Sequence, residues 1–339
     1  MKFLQSLILK TTALSMCTAL CMSAAMAQAS EPVVSVVFAG DIMLEGGPDR
    51  AIRRGRDPFS GVAHLFKGTD IRLGNLECVV ATVGSVEPEK PNVFRVHPRG
   101  LKYVQRHFDA VGLANNHSGD FGREAFAEML GLLQNAGLGK LGGGRNLSDA
   151  HEPWVVERNG LRIAFLSYNE FMPRSFEADH DAPGVAWSED EQVVDDIRRA
   201  RQVHRADLVI PIMHWGWENE LVANARQRQL ARLMVAAGAD AVIGGHPHVT
   251  QDIEHIQGKP VIYSVGNFVM KETDNANQRR GWVLRLELDK HGVRLLDTRV
   301  AQIRMDGVPE RDDRAASPCW QRGDAAVGQC VAGRRVMSR

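Results

Sequence analysis

The residues with the clearest chemistry are two histidines, His246 and His248, in the stretch Gly245-His-Pro-His248. They follow the β-branched apolar run 241–243 and two glycines, a pattern that predicts a buried strand ending in a turn. On an extended or turning backbone, residues two apart project to the same side, and Pro247 fixes the φ angle between them. Because neutral imidazole is the commonest metal ligand, the pair suits a metal site. Two nearby histidines are also common in solvated loops, so the pair alone is weak evidence.

Polar side chains that could bind a metal or transfer a proton also follow the other predicted strands. Earlier apolar runs end at Asp41, at Asn75 and Glu77, at Asn116 and His117, and at His214. In open α/β sheets, sites form at the carboxyl ends of strands, so we expect these side chains to converge. Asp and Asn favour turns in any protein. That preference explains one polar strand end, but not a series that carries Asp, Glu, Asn and His.

The number of candidate ligands predicts more than one metal ion. When His117 is set aside as an acid–base group, the set still contains Asp41, Glu77, one or two amides and three histidines. Oxygen and imidazole ligands without thiolate fit borderline divalent ions such as Mn²⁺, Zn²⁺ or Fe²⁺. The set is too large for one closed four-coordinate site. The sequence therefore predicts two divalent metal ions that share a bridging carboxylate.

The elements that must position these residues alternate between strands and helices along the chain. Helical patterns occur at 123–134, 191–204 and 225–237, and apolar strand-like runs lie between them. This alternation predicts an α/β architecture. The region 282–303 alternates as two strands around His291-Gly292, which predicts an antiparallel hairpin.

Length and composition indicate an ordinary globular protein. The chain has 339 residues, with 41 Lys plus Arg and 41 Asp plus Glu, so its formal net charge is zero. This balance lacks the polycationic signature of nucleic-acid binding, and we expect no nucleic-acid partner. Residues 33–305 are predicted to form one domain. Residues 306–339 are polar and are predicted to form a loosely ordered tail.

The first 27 residues have the features of a secretory signal. Lys2 and Lys10 accompany an apolar stretch, and Ala25-Met-Ala27 is a small-residue cleavage site. A cleaved signal peptide at 1–27 predicts a periplasmic or secreted protein, and the alternative is an uncleaved N-terminal membrane anchor. An oxidising compartment permits a disulfide between Cys319 and Cys330, and free thiols are the alternative.

Taken together, the motifs resemble a known family. They are Gly40-Asp41, Gly74-Asn-Leu-Glu77, Ala114-Asn-Asn-His-Ser118, His214-Trp-Gly-Trp-Glu218, Gly245-His-Pro-His248 and Tyr263-Ser-Val-Gly-Asn-Phe268. In this order they are similar to the CapA, or poly-γ-glutamate capsule synthesis, family of the calcineurin-like metallophosphoesterase superfamily. The resemblance implies a four-layer α/β/β/α sandwich of metallophosphoesterase type.

The resemblance also implies a role for each candidate ligand. Asp41 and His248 stand at positions that bind the first metal, and Glu77 stands where the superfamily places its bridging carboxylate. The second metal would take Asn116, His214 and His246, and His117 stands at the acid–base position. The chain departs from general phosphoesterases where they have Asp-x-His, because it reads Asp41-Ile-Met43. It also departs where they have Gly-Asp, because it reads Asn75-Leu-Glu77.

Five further residues are candidates to support the site or contact substrate. Arg95, with Lys90, could pair with an anionic substrate, although a solvated loop explains both. Glu218 could orient a histidine ligand or sit before the next helix. Asn267 could support the site or only satisfy a turn, and Asn75 lies beside the bridging position.

The resemblance implies a metal-dependent hydrolase or phosphoesterase in cell-surface polymer metabolism. Its substrate would be an anionic polymer or a phosphate ester, and a membrane-bound polymer synthesis complex would be its partner. One alternative is a non-catalytic assembly or binding component of a surface-polymer export complex. The other is a general secreted phosphatase or nucleotidase, against which the missing Asp-x-His argues.

Overall fold

The structure is a computed structural model that describes residues 31–88, 90–172 and 174–336. The predicted signal peptide at 1–27 lies outside the described residues. Within the described part of the chain, no helix combines the length and the apolar character needed to cross a membrane.

The described chain contains both strands and helices throughout. The strands are β1 (Val34–Ile42), β2 (Ile71–Leu76), β3 (Val79–Val80), β4 (Arg95–Val96), β5 (Ala110–Gly112), β6 (Gly139–Leu141), β7 (Gly143–Gly144), β8 (Trp154–Arg158), β9 (Leu161–Asn169), β10 (Gly184–Val185), β11 (Leu208–His214), β12 (Val242–Gly245), β13 (Ile253–Ile256), β14 (Lys259–Ile262), β15 (Asn267–Val269), β16 (Arg280–Asp289), β17 (Gly292–Ile303), β18 (Pro309–Asp312), β19 (Ala316–Gln321), β20 (Gly328–Val331) and β21 (Arg334–Val336). The α-helices are α1 (Gly47–Arg53), α2 (Leu101–His107), α3 (Gly122–Asn135), α4 (Leu147–His151), α5 (Asp190–Gln202) and α6 (Ala225–Ala237).

Two mixed sheets form the centre of the fold. The first has the order β21-β20-β19-β17-β16-β1-β2-β5-β6, with β15 paired to β1 and β18 paired to β17. The second has the order β13-β14-β12-β11-β9-β8. In the first sheet, β1, β2, β5 and β6 are parallel neighbours. In the second sheet, β9, β11, β12 and β14 are parallel neighbours. Each sheet therefore brings several strand carboxyl ends to one edge.

Three apolar clusters define four layers. One cluster joins the facing sides of the two sheets, with Phe38 and Leu284 of the first sheet against Phe165 and Ile210 of the second. A second cluster packs α1, α2 and α3 on the outer face of the first sheet. A third packs α5 and α6 on the outer face of the second sheet. The predicted four-layer α/β/β/α sandwich is confirmed.

The helices that cover the sheets form where the sequence predicts them. Helix α6 begins at a capping box, in which Asn224 and Gln227 satisfy each other's backbone N–H groups. It ends at Gly238, whose φ of 118° lies in the left-handed region that favours glycine. Helix α3 buries Phe126 and Leu130 on one face, as its periodicity predicts.

The prediction of a loosely ordered tail after residue 306 is wrong for the described residues. Strands β18 to β21 extend the first sheet beyond β17, and a disulfide joins Cys319 to Cys330. The region is polar in composition, and its charged side chains form ion pairs within the folded sheet. Arg322, for example, donates to both carboxylate oxygens of Asp289 at 2.9 Å. Trp320 is buried in the cluster between the sheets.

The Cys319–Cys330 disulfide should contribute measurably to stability, because it closes a chain segment with a sequence separation of 11 residues. Replacing both cysteines with alanine should lower the free energy of unfolding by about 3 kcal/mol in urea denaturation, by the loop-entropy relation. A reducing agent should destabilise the natural chain by a similar amount and leave the double variant unchanged. Equal stability of the two proteins would show that the bond adds nothing to the fold.

Candidate metal centre

The polar residues that follow the parallel strands meet between the two sheets. Asp41 lies near the end of β1, Glu77 follows β2, His214 ends β11, and His246 and His248 follow β12. All of these side chains are buried. They form two groups whose ligand atoms lie within 4.8 Å of one another, namely Glu77 with His214 and His246, and Asp41 with Glu77 and His248. Glu77 belongs to both groups.

The bonding state of Glu77 fits a metal centre. Within the described part of the chain, both of its carboxylate oxygens are buried without a hydrogen-bond partner, and so is Nε2 of His246. Oε1 of Glu77 lies 3.4 Å from Nε2 of His214 and 3.7 Å from Nε2 of His248, close enough for attraction but without hydrogen-bond geometry. A buried carboxylate without compensation is costly. The carboxylate and imidazole donors fit borderline divalent ions, which would supply that compensation.

Asparagine side chains contact the candidate ligands and orient them. Asn75 Nδ2 donates to Asp41 Oδ1 at 2.8 Å and lies 3.2 Å from Nδ1 of His214. Asn115 Nδ2 donates to Asn75 Oδ1 at 3.0 Å and fixes the orientation of that amide. The amide oxygen of Asn116 lies 2.8 Å from Nε2 of His214, which places it with the second group.

Asn267 sets the tautomer of His248. Its Nδ2 donates to the carbonyls of His248 and Gln278 at 3.0 Å and 2.9 Å, so its Oδ1 must face the histidine ring. Nδ1–H of His248 donates to that oxygen at 2.8 Å. Nε2 then lies on the side of Glu77, where it can bind a metal ion once it releases its proton.

The backbone turns at the two histidines, which is one of the two conformations predicted for them. His246 has a φ of 93° and His248 a φ of 59°, so both lie in the left-handed region, at a cost of about 1–3 kcal/mol each. The preceding glycines allow a close approach, because a Cβ on Gly245 would lie 2.8 Å from Asp41 Oδ1 and one on Gly244 would lie 2.0 Å from the carbonyl oxygen of Tyr263. This backbone places each histidine in a different ligand group.

The potential at His248, beside the carboxylates of Glu77 and Asp41, is negative. Burial lowers the pKa of His248, but the charges of Glu77 and Asp41 outweigh burial and raise it to about 10. Burial raises the pKa of Asp41, but contact with His248 outweighs that effect and the pKa is lowered. Burial and the neighbouring histidines His214 and His248 hold the pKa of His246 well below its ordinary value. The centre therefore attracts positive charge and keeps His246 neutral, and both properties favour cation binding.

His117 lies beside the centre as half of a dyad. Its Nδ1–H donates to Oδ2 of the buried Asp120 at 2.8 Å. The N–H of Phe94 donates to the same oxygen at 2.7 Å, and the ammonium of Lys90 donates to Oδ1. These contacts fix the Asp120 carboxylate, which leaves Nε2 as the free ring nitrogen of His117. His117 lines a cleft of about 400 Å³ together with Asn116, and this cleft leads to the ligands.

Other predicted residues lie farther from the ligands. Glu218 is exposed and lines the cleft, and no contact with a histidine ligand is formed within the described chain. Arg95 does not line the cleft, because it donates to the carbonyls of Val83 and Gly84 at 3.4 Å and stacks over Phe121. The prediction that Arg95 contacts substrate is therefore not supported. Met43 is buried in the apolar core, so this position supplies no ligand.

Three important residues were missed as site residues. Asn115 was visible as half of the Asn-Asn pair, and Asp120 as the acid three positions after His117. Phe171 had no sequence signal, yet its ring centroid lies 3.9 Å from that of His246. A separate cavity of about 450 Å³ is lined by His151 and Asp196, and none of the candidate ligands borders it.

Comparisons with known proteins agree with this geometry. The model of a family described as "Bacterial capsule synthesis protein PGA_cap" matches residues 35–272. The PGA biosynthesis protein CapA of Bacillus subtilis (strain 168) is 34% identical over 248 residues, which cover 72% of this chain and 65% of that relative. This chain thus spans slightly less than two thirds of the relative's length. The predicted resemblance to the CapA family is confirmed.

Two solved structures support the fold. A phosphatase from Mycoplasma pneumoniae aligns with a TM-score of 0.54 and 13% identity over 84% of this chain and 96% of that chain. A hypothetical protein from Thermus thermophilus aligns with a TM-score of 0.52 and 17% identity over 79% of this chain and 99% of that chain. At this level of identity they show a shared fold and nothing more.

Replacing Asn267 with alanine should weaken metal binding, because His248 would lose the acceptor that fixes its tautomer. We expect a loss of about 10- to 100-fold in Mn²⁺ or Zn²⁺ affinity, measured by isothermal titration calorimetry. Asn275→Ala is the matched control, since Asn275 is exposed and its described side-chain hydrogen bonds go to Asn219, Asn277 and Gln278, none of which is a candidate ligand. Unchanged affinity in Asn267→Ala would mean that His248 is not a ligand.

Proposed function

This chain belongs to the PGA_cap family of bacterial capsule synthesis proteins, and we propose that it is a metal-dependent phosphoesterase of cell-surface polymer metabolism. The observation that carries the proposal is the arrangement of two buried ligand groups around the unpartnered carboxylate of Glu77, next to the His117–Asp120 dyad. A purely structural site would not need a free, oriented imidazole at the end of an open cleft.

The residues suit two divalent ions, with Mn²⁺, Zn²⁺ and Fe²⁺ as the candidates. One ion would be held by Asp41, Glu77 and His248. The other would be held by Glu77, His214 and His246, with the amide oxygen of Asn116. Divalent ions at such a centre polarise phosphate oxygens and lower the pKa of bound water.

His117 would act on the leaving group. With Nδ1–H fixed on Asp120, its Nε2 is the nitrogen that can donate a proton to the leaving oxygen of an ester in the cleft. Asp120 keeps the ring in one orientation, while Lys90 and the Phe94 N–H keep the carboxylate in place. The side chain would therefore be positioned before substrate arrives.

The proposed setting lies outside the cytoplasm. The features of residues 1–27 support export to the periplasm or secretion, and an N-terminal anchor is the alternative. The name of the Bacillus subtilis relative, PGA biosynthesis protein CapA, supports a role in surface-polymer synthesis. The substrate would be an anionic polymer or a phosphate ester, and the partner would be a membrane-bound polymer synthesis complex.

One observation favours a second candidate function. Met43 occupies the position at which general phosphoesterases carry a histidine, and its side chain is buried among apolar residues. The first group is left with three protein donors, Asp41, Glu77 and His248. A centre with fewer ligands suits a non-catalytic binding or assembly component of an export complex. The same departure argues against a general secreted phosphatase or nucleotidase.

Replacing His117 with alanine should lower the kcat for phosphate-ester hydrolysis by about 10²- to 10⁴-fold, the usual contribution of a general acid. The measurement is turnover of aryl phosphate monoesters and diesters by protein loaded with Mn²⁺ or Zn²⁺. His180→Ala is the control, because His180 is an exposed histidine that pairs with Asp181 and lies outside the cleft.

Metal content must be measured on the same samples. Loss of turnover with metal content retained would support the assigned role of His117. A folded, metal-loaded natural chain that hydrolyses none of the esters would contradict the phosphoesterase proposal and favour the assembly role.

A further inference from the structure

Exposed apolar side chains concentrate around the cleft that leads to the metal centre. The described chain exposes ten large apolar side chains, and six of them lie on three loops beside the cleft, namely Val83, Val86, Met172, Trp217, Leu221 and Val222. Met172 lines the cleft directly, and the other two loops contribute Glu87, Pro88 and Glu218 to its lining. Large apolar groups exposed together are typical of a binding surface.

These six exposed side chains form an apolar rim around the cleft. Phe171 connects this rim to one of the candidate ligands, His246. The ring of Phe171 lies against His246, with centroids 3.9 Å apart, and meets Trp217 edge-on at 5.8 Å. Trp217 is 63% exposed and Met172 is 65% exposed. The loop that carries Trp217 is fixed over the centre, because the N–H of Asn219 donates to the carbonyl of Pro247 at 2.9 Å. An apolar wall therefore runs from a ligand to the protein surface.

The charges at the cleft disfavour a polyanion. Lys90 is a cation among the described lining residues, but its ammonium is already paired with the buried Asp120 and bound to the carbonyl of Asn116. Glu87 and Glu218 are exposed and add negative charge at the mouth. A chain of carboxylates would meet repulsion there, whereas an uncharged apolar group would cover the exposed rim.

We infer that the cleft selects phosphate monoesters whose organic group is uncharged and apolar, such as an alkyl or prenyl phosphate, over polycarboxylate chains. This inference rests on the proposed function, since the metal centre would hold the phosphate. Phe171, Met172 and Trp217 are the specificity-determining residues. They contact the organic group, and the phosphate binds at the metal centre.

Alkyl phosphonates test the inference by binding, without turnover. Methyl-, hexyl- and decylphosphonate would be titrated into Mn²⁺-loaded protein by calorimetry, below their micellar concentrations. We expect affinity to rise about two- to fourfold per methylene until the rim is covered, since a buried methylene contributes about 0.8 kcal/mol. An oligo-γ-glutamate that carries a terminal phosphonate should bind more weakly than hexylphosphonate.

Variants of the rim test whether its side chains cause the dependence of affinity on chain length. In Trp217→Ala and Met172→Ala, the ratio of decyl to methyl affinity should fall about tenfold, because apolar contact area is lost. Leu147→Ala is the matched control, since Leu147 is an exposed apolar residue of α4 that lies outside the cleft. Its ratio should equal that of the natural chain.

Four outcomes would overturn the inference. If methylphosphonate binds but chain length has no effect, or if the γ-glutamyl ligand binds best, the specificity is wrong while the proposed function stands. If the rim variants keep the natural ratio, these side chains do not contact the organic group and the assignment of specificity is wrong. If metal binds but no phosphonate does, the inference and the proposed phosphoesterase function both fail.

Discussion

The unpartnered carboxylate of Glu77 is the interaction on which the rest of this structure depends. It lies where the carboxyl ends of parallel strands from both sheets meet, with both oxygens buried and without a hydrogen-bond partner among the described residues. In a protein interior, such a charge persists only where a positive charge compensates it. His248 supplies part of that charge, because the carboxylates of Glu77 and Asp41 outweigh burial and raise its pKa to about 10. His246 supplies none, because burial and its neighbouring histidines hold it neutral. The amides of Asn75, Asn115 and Asn267 satisfy the other groups and leave Glu77 for a cation.

The metal centre requires both sheets of the fold. Ligands from β1 and β2 belong to one sheet and those from β11 and β12 to the other, so the centre forms only when the two sheets pack face to face. Local backbone strain at His246 and His248 is maintained by this packing, since the glycines before them approach Asp41 and Tyr263 too closely for any side chain. Strain held in place by surrounding structure is typical of functional sites.

Much of the site could be predicted because strand ends are marked locally in the sequence. An apolar run followed by Asp, Asn or His gives both the position and the chemistry, which is why Asp41, Glu77, His214 and His246 meet as expected. Helix α6 was predictable for the same reason, because its cap and its final glycine are local signals. The sheet packing itself, which brings the two sets of strand ends together, was implied only by the family resemblance.

The failures share a physical cause, which is that long-range contacts leave no local pattern. The C-terminal strands looked like a polar tail because their arginines pair with acids distant in sequence, as Arg322 does with Asp289. For Arg95 the sequence left a substrate contact and a solvated loop open, and the structure places its guanidinium over Phe121. Phe171 packs against His246 from a loop more than seventy positions earlier in the chain.

The most direct test of the account is anomalous X-ray diffraction from crystals grown with Mn²⁺ or Zn²⁺. The account predicts two anomalous peaks beside Glu77, each about 2.0–2.2 Å from a carboxylate oxygen. One peak would be shared with Asp41 and His248, and the other with His214 and His246. Density that shows the Glu77 carboxylate without any adjacent peak, in crystals that contain the metal, would contradict the central claim.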